Sequence, residues 1–191
     1  MKDAIECFAD HIVETNFSDI PDRAIHSAKT FILDTLGVGL AGSTGPYVKE
    51  LLNAYSSASP TELASRVLGQ RARINSADAA LINGFQIHNS EFDCVHEEAV
   101  IHTMTVLLAV LLADADRRGK INGIELLKSA ILGVDVACNL GVACTSGLQF
   151  FRPATAGAFA GVAAVGSVRG YDKEQLIRAF SLAYIQLSGT M

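Results

Sequence analysis

The sequence predicts an all-α, multi-helix bundle built around a buried helix rich in Ala and Gly, with at most a short β-hairpin. Three observations carry that reading. Apolar residues recur at helical spacing along most of the 191 residues. Only residues 64–74, ASRVLGQRARI, alternate as paired strands would, with Gly69-Gln70 as the turn between them. Residues 155–168 carry no charge and set Gly157 and Gly161 four apart, so a neighbouring helix can approach closely.

Taken in order, residues 3–16 place Ile5, Phe8, Ala9, Ile12 and Val13 on one helical face. Ser18-Asp19-Ile20-Pro21 reads as the start of a second helix, with Pro early in its first turn. That helix carries Ala24, Ala28, Phe31, Ile32, Thr35 and Leu36 until Gly37, Gly39 and Gly42 loosen the pattern. A third helix spans 47–58, and Asn75 can cap a fourth that runs to about Ser90. Further helices are expected at 101–117, 122–146, 155–169 and 172–190, punctuated by Gly, Asn, Pro or Asp. The pattern around 126–144 is apolar on most of its circumference, so Asp135 within it must be paired or solvated. The last helical pattern is still running at the final residue, which predicts a piece of a longer chain.

Composition narrows the function. Half the residues are hydrophobic, enough for a sizeable core. A net charge of -5 with scattered Lys and Arg gives no basic stripe for phosphates, so no nucleic-acid partner is expected. No membrane partner is expected either, because the longest apolar stretches are short or interrupted by Asp135. Cys7, Cys94, Cys138 and Cys144 form no Cys-x-x-Cys pair and no dense framework, and the N-terminus is acidic and amphipathic instead of signal-like. The expectation is a cytoplasmic protein with reduced thiols.

Against this apolar background, residues 81–103 stand out: LINGFQIHNSEFDCVHEEAVIHT gathers His88, Glu91, Asp93, His96, Glu97, Glu98 and His102. The plain alternative is a solvated acidic loop. A zinc protease motif needs two His four apart, whereas His96 and His102 are six apart and roughly 240° around a helix. Asp93 and His96 at i, i+3 could chelate, but they occur once, so no metal is expected. No Gly-x-Ser-x-Gly elbow occurs, Cys94 lacks an evident oxyanion partner, and Gly37-x-Gly39-x-x-Gly42 ends a helix instead of following a strand. Acid–base chemistry on a carboxylate fits best: imidazoles titrate near neutral pH, and a neighbouring carboxylate fixes which ring nitrogen holds the proton. Arg152 in FFRPAT could clamp a substrate carboxylate, or could equally be a helix-capping arginine. His11 and His26 sit on ordinary amphipathic helices and read as structural.

The run AALINGFQIHNSEFD, the apolar helix opening with His102, and the block FFRPATAGAFAGVAAVGSVRGYDKEQLIRAFSLAYIQLSG together resemble the N-terminal helical domain of the MmgE/PrpD family from about Ala9 onward. That family includes 2-methylcitrate dehydratase, cis-aconitate decarboxylase and iminodisuccinate epimerase. The resemblance implies a lyase of the dehydratase type, or else an epimerase or decarboxylase, that moves a proton next to a carboxylate of a small di- or tricarboxylate without metal or organic cofactor. It maps Asn83-Gly84 and His88 onto the family's Asn-Gly and following His, and Glu91-Phe92-Asp93-Cys94 onto its Asp-aromatic-Asp-Asp run. His102-Thr103 occupies its His-Pro position, and Phe151-Arg152-Pro153-Ala154 its aromatic-His-Pro-Thr block, with Arg in place of His.

The expected roles follow from that mapping. His102 is the base, Asp93 or Glu91 positions it, and Arg152, His88, Asn83 and His96 bind substrate. Residues 1–191 are expected to form one truncated helical domain lacking the family's α/β lid, and to pair as a homodimer. The rival from another class is a noncatalytic helical module that binds a partner helix through its Gly-rich apolar surface.

Overall fold

The computed structural model describes residues 2–55, 64–71, 73–145, 147 and 151–187. Within them the chain forms eight α-helices and one two-stranded sheet. The ends of the third and last expected helices, 56–58 and 188–190, lie outside the described residues.

Local sequence sets the helix starts. Asp3 caps α1 (Ala4–Glu14), accepting from the Ile5 N–H at 2.9 Å while Glu6 reaches back to the cap. Asn122 with Glu125 and Asp172 with Gln175 form the same reciprocal box at α6 (Gly123–Ala143) and α8 (Lys173–Ile185). Asn75 caps α4 (Ser76–His88), as its position predicts. Between α1 and α6 lie α2 (Asp22–Gly42), α3 (Val48–Tyr55) and α5 (Thr103–Arg118), and α7 (Arg152–Arg169) follows α6.

The second helix ends at Gly42, as the Gly37-x-Gly39-x-x-Gly42 run predicts, and stays helical through the first two glycines because α4 packs against its last turns. A Cβ at Gly42 would run into the Gln86 carbonyl, and one at Gly39 would press on Leu68 and Ile87. The contact between helices outweighs the weak helix propensity of glycine.

The hairpin is as short as predicted: β1 (Ala64–Arg66) and β2 (Arg73–Asn75) pair antiparallel with Ser65 opposite Ile74. Helix α5 holds it. The Ser65 hydroxyl donates to the Ala113 carbonyl of α5 at 2.7 Å, and Arg66 grips Asp116 through its backbone N–H at 2.7 Å and its guanidinium at 2.6 Å.

The core is the stack of α5, α6 and α7. Helix α7 is buried on two sides: Ala156, Ala160 and Ala164 meet Leu107, Leu108 and Ala137, while Phe159 and Ala163 join Ile12, Leu176 and Phe180 of α1 and α8. Gly157 and Gly161 admit the side chains of Val106 and Val110 of α5; a Cβ there would lie 3.0 and 3.4 Å from them. The close backbone approach falls elsewhere, at Gly133 of α6, where a Cβ would meet the Ala160 carbonyl at 3.0 Å. Helix α6 is long and apolar enough to cross a membrane by length and composition. Its residues Ala130, Leu132, Val136 and Ala137 are buried within the bundle. Asp135, on its exposed side, pairs with His11 at 2.8 Å, which gives both residues a structural role.

Candidate active site

Helices α4 and α5 lie side by side, with Gly84 facing Ala109 and the Thr105 carbonyl. That packing brings His88, the last residue of α4, next to His102, the N-cap of α5. Their ring centroids are 4.7 Å apart at 67°, edge to face. The intervening loop folds back between them. His96 and Ile101 form an isolated bridge, Ala99 and Ile101 are fully buried, and Asp93 is carried inside.

The Asp93 side chain has no exposed surface. Its carboxylate takes His88 Nδ1 at 3.1 and 3.2 Å and accepts a very short hydrogen bond from the Thr105 hydroxyl. His102 Nδ1 lies 3.2 Å from Oδ2, near enough for an ion pair, yet off the line of a hydrogen bond, so that nitrogen makes none. A carboxylate only accepts, so it fixes the His88 tautomer with the proton on Nδ1. In both rings Nε2 is the nitrogen that Asp93 does not face.

The two rings sit at the head of a cavity of about 600 Å³. Its walls are Ala77, Ala80, Leu81 and Phe85 of α4, Val106, Ala109 and Val110 of α5, and Phe151, Pro153 and Ala154 at the start of α7. Phe151 packs on the His88 ring with centroids 6.3 Å apart.

The other predicted residues lie outside this constellation. Glu91 is exposed with a positive φ of 49°, and its N–H donates to the His88 carbonyl, so it shapes the turn. His96 is exposed; its Nδ1 accepts from the Ala99 N–H at 3.1 Å, and it lines a different cavity with Met104 and Cys138. Asn83 is fully buried with its amide on the hairpin, accepting from the Leu68 N–H at 2.8 Å and donating to the Arg66 carbonyl at 3.1 Å. The Arg152 guanidinium donates to the carbonyls of Ala99, Gly141 and Cys144 at 3.2–3.3 Å, joining the buried loop to the end of α6. Burial pushes the Cys94 thiol up, away from the thiolate a nucleophile requires.

Sequence reasoning missed Thr105 and Phe151. Thr105 was within reach, because it stands three residues after His102 and so shares its helix face. Phe151 meets His88 only through tertiary packing, which no spacing announces.

Two imidazoles thus meet one buried carboxylate at the edge of an apolar cavity in a helical bundle. The chain belongs to the MmgE/PrpD family, whose N-terminal domain matches residues 6–191. It is 30% identical to the cis-aconitate decarboxylase of Homo sapiens over 96% of this chain and 39% of that protein. It is 29% identical to the cis-aconitate decarboxylase of Aspergillus terreus over 91% of this chain and 37% of the relative, and 29% identical to a cis-aconitate decarboxylase-like protein of Aspergillus oryzae over 94% and 39%. The chain thus spans under two-fifths of the length of these relatives.

Proposed function

We propose that this chain carries the proton-transfer wall of a lyase of the dehydratase type acting on a small di- or tricarboxylate, with no cofactor in the step. The observation that supports it is the buried Asp93 held against His88 and His102. In this reading His102 takes the proton from the carbon next to a substrate carboxylate through Nε2. The electrons of the broken C–H bond form the new double bond as a β-hydroxyl leaves, and the leaving oxygen takes its proton from Nε2 of His88, which enters the step as the doubly protonated imidazolium, so that water departs. Asp93 holds the rings in register, and the positive end of α5 favours charge developing beside His102.

The names of the relatives favour a second outcome at the same groups, decarboxylation. There an imidazolium protonates carbon while the C–CO₂ bond breaks. Product analysis separates the two: water-loss products conserve every carboxylate, whereas decarboxylation releases carbon dioxide. In either case His102→Ala in the longest reading frame that contains this chain should lower kcat by about 10²-fold or more. Near-normal turnover on citrate-like, aconitate-like and aspartate-derived acids would refute the assignment. Arg152→Ala separates a substrate clamp, which raises KM at unchanged Tm, from a strut, which lowers Tm.

A further inference from the structure

Hydroxyls inside these helices share a habit. Thr30, Thr35 and Ser181 each donate to the carbonyl four residues back, those of His26, Phe31 and Ile177. Thr105 does not. The carbonyl four residues before it, that of Ile101, already accepts from the His96 N–H at 2.9 Å, where the loop folds back on itself. The buried Thr105 hydroxyl, in the first turn of α5, donates instead to Oδ2 of Asp93, twelve residues back.

That bond bears on how the carboxylate is shared. His88 Nδ1 lies 3.1 Å from Oδ1 and 3.2 Å from Oδ2, so both oxygens grip it. His102 Nδ1 lies as near, 3.2 Å from Oδ2, yet this buried nitrogen has no hydrogen-bond partner among the described residues. Two imidazoles equally close to one carboxylate are thus held unequally, and the group seated on the contested oxygen is Thr105. We propose that Thr105 is a positioning residue that gives the two histidines different roles: its hydroxyl holds Asp93 Oδ2 so that the carboxylate serves His88 and is kept from His102. The acid of the proposed step is then the ring that the carboxylate grips, because a charge-assisted hydrogen bond at Nδ1 holds the imidazolium whose Nε2 proton is to be given. The base is the ring left without that bond, which enters the step neutral. This division of roles rests on the proton-transfer reading; the sharing of the carboxylate does not.

The test is nitrogen NMR of the histidine rings, together with steady-state kinetics, on the longest reading frame that contains this chain. Thr105→Val keeps the shape of the side chain and removes the donor. It should free Oδ2 for His102, so that a second hydrogen-bonded Nδ1 proton joins that of His88. At the same time kcat should fall by about 10- to 100-fold, the change carried by one hydrogen bond to a charged group, with KM within about twofold of the parent. Thr105→Ser keeps the donor and loses only the methyl group, and should restore the parent spectrum and most of the rate. A threonine that merely packs predicts the reverse, with the valine variant unaffected and the serine variant destabilised. The proposal is overturned if the parent already shows two hydrogen-bonded Nδ1 protons, if the valine variant adds no second one, or if the valine and serine variants alter the rings alike. Should the valine variant not fold, Thr105→Ala removes the same donor, and the absence of a second proton there overturns the proposal as well. The two readings fail separately: a second proton with kcat unmoved upholds the sharing of the carboxylate and sinks the proposed chemistry, whereas unmoved rings with His102-dependent turnover do the opposite.

Discussion

Replacing Asp93 by Asn should abolish the chemistry while leaving the domain folded, and the geometry says why the two effects part. Asp93 presents acceptors to three groups: His88 Nδ1 at 3.1 Å, His102 Nδ1 at 3.2 Å and the Thr105 hydroxyl. An amide keeps one acceptor oxygen and adds an NH₂ donor. Whichever way it turns, one partner that was offered an acceptor now meets a donor. If that partner is His88, its proton moves to Nε2 and the ring loses the carboxylate that orients it, as imidazolium, to give a proton to the leaving oxygen. Loss of the correct tautomer costs about 10²- to 10⁴-fold in rate. On stability, losing a charge-assisted hydrogen bond costs about 1–3 kcal/mol, but the buried charge disappears as well, which offsets part of it. With about 2–4 °C per kcal/mol for a domain of this size, Tm should fall by less than about 8 °C. Nitrogen NMR of the histidine rings reads the tautomer directly and needs no substrate, and steady-state kinetics reads the rate. An unchanged His88 tautomer together with kcat within threefold of the parent would refute the reasoning.

Three further outcomes are expected. Exhaustive dialysis against a chelator should leave turnover unchanged, with elemental analysis finding less than stoichiometric zinc or iron; a metal held by His88, Asp93 and His102, whose ligand atoms lie within 4.8 Å of one another, would show the opposite. Gly42→Ala forces a Cβ into the Gln86 carbonyl and should lower stability by about 3 kcal/mol in denaturant unfolding, whereas Gly37→Ala, with open space around it, should be neutral or stabilising. Burial pushes the Asp116 carboxyl up, but Arg66 and Arg73 outweigh it and hold it below its ordinary value of 3.8. A depressed carboxyl stabilises the fold above its unfolded value and loses that contribution as pH falls through the folded one. Acid unfolding of Asp116→Asn should therefore show a shallower loss of stability below about pH 4 than the parent, and coincident curves would count against the anchor.

What the sequence made legible and what it hid divide along the reach of each interaction. Asn75 announces α4 because a cap is made with the N–H of Ala77, two residues away, and no other part of the chain can change that. The uncharged face of α7 announces burial for the same local reason. Gly37, Gly39 and Gly42 announce the end of α2 but not what its last turns pack on, because the decisive contact, Gln86, lies on another helix. The site obeys the same division. His88, Asp93 and His102 stand out as residue types, yet His96 and Glu91 stand out equally, and only the fold separates the pairs. Gly84 seats α4 on α5 and thereby makes two distant histidines neighbours, and the buried Ala99 and Ile101 turn Asp93 inward while Glu91, Glu97 and Glu98 remain exposed. A charged loop thus holds both a solvated face and a buried one. The burial of its small apolar residues, more than its acidity, decides which carboxylate becomes the buried partner of the histidines.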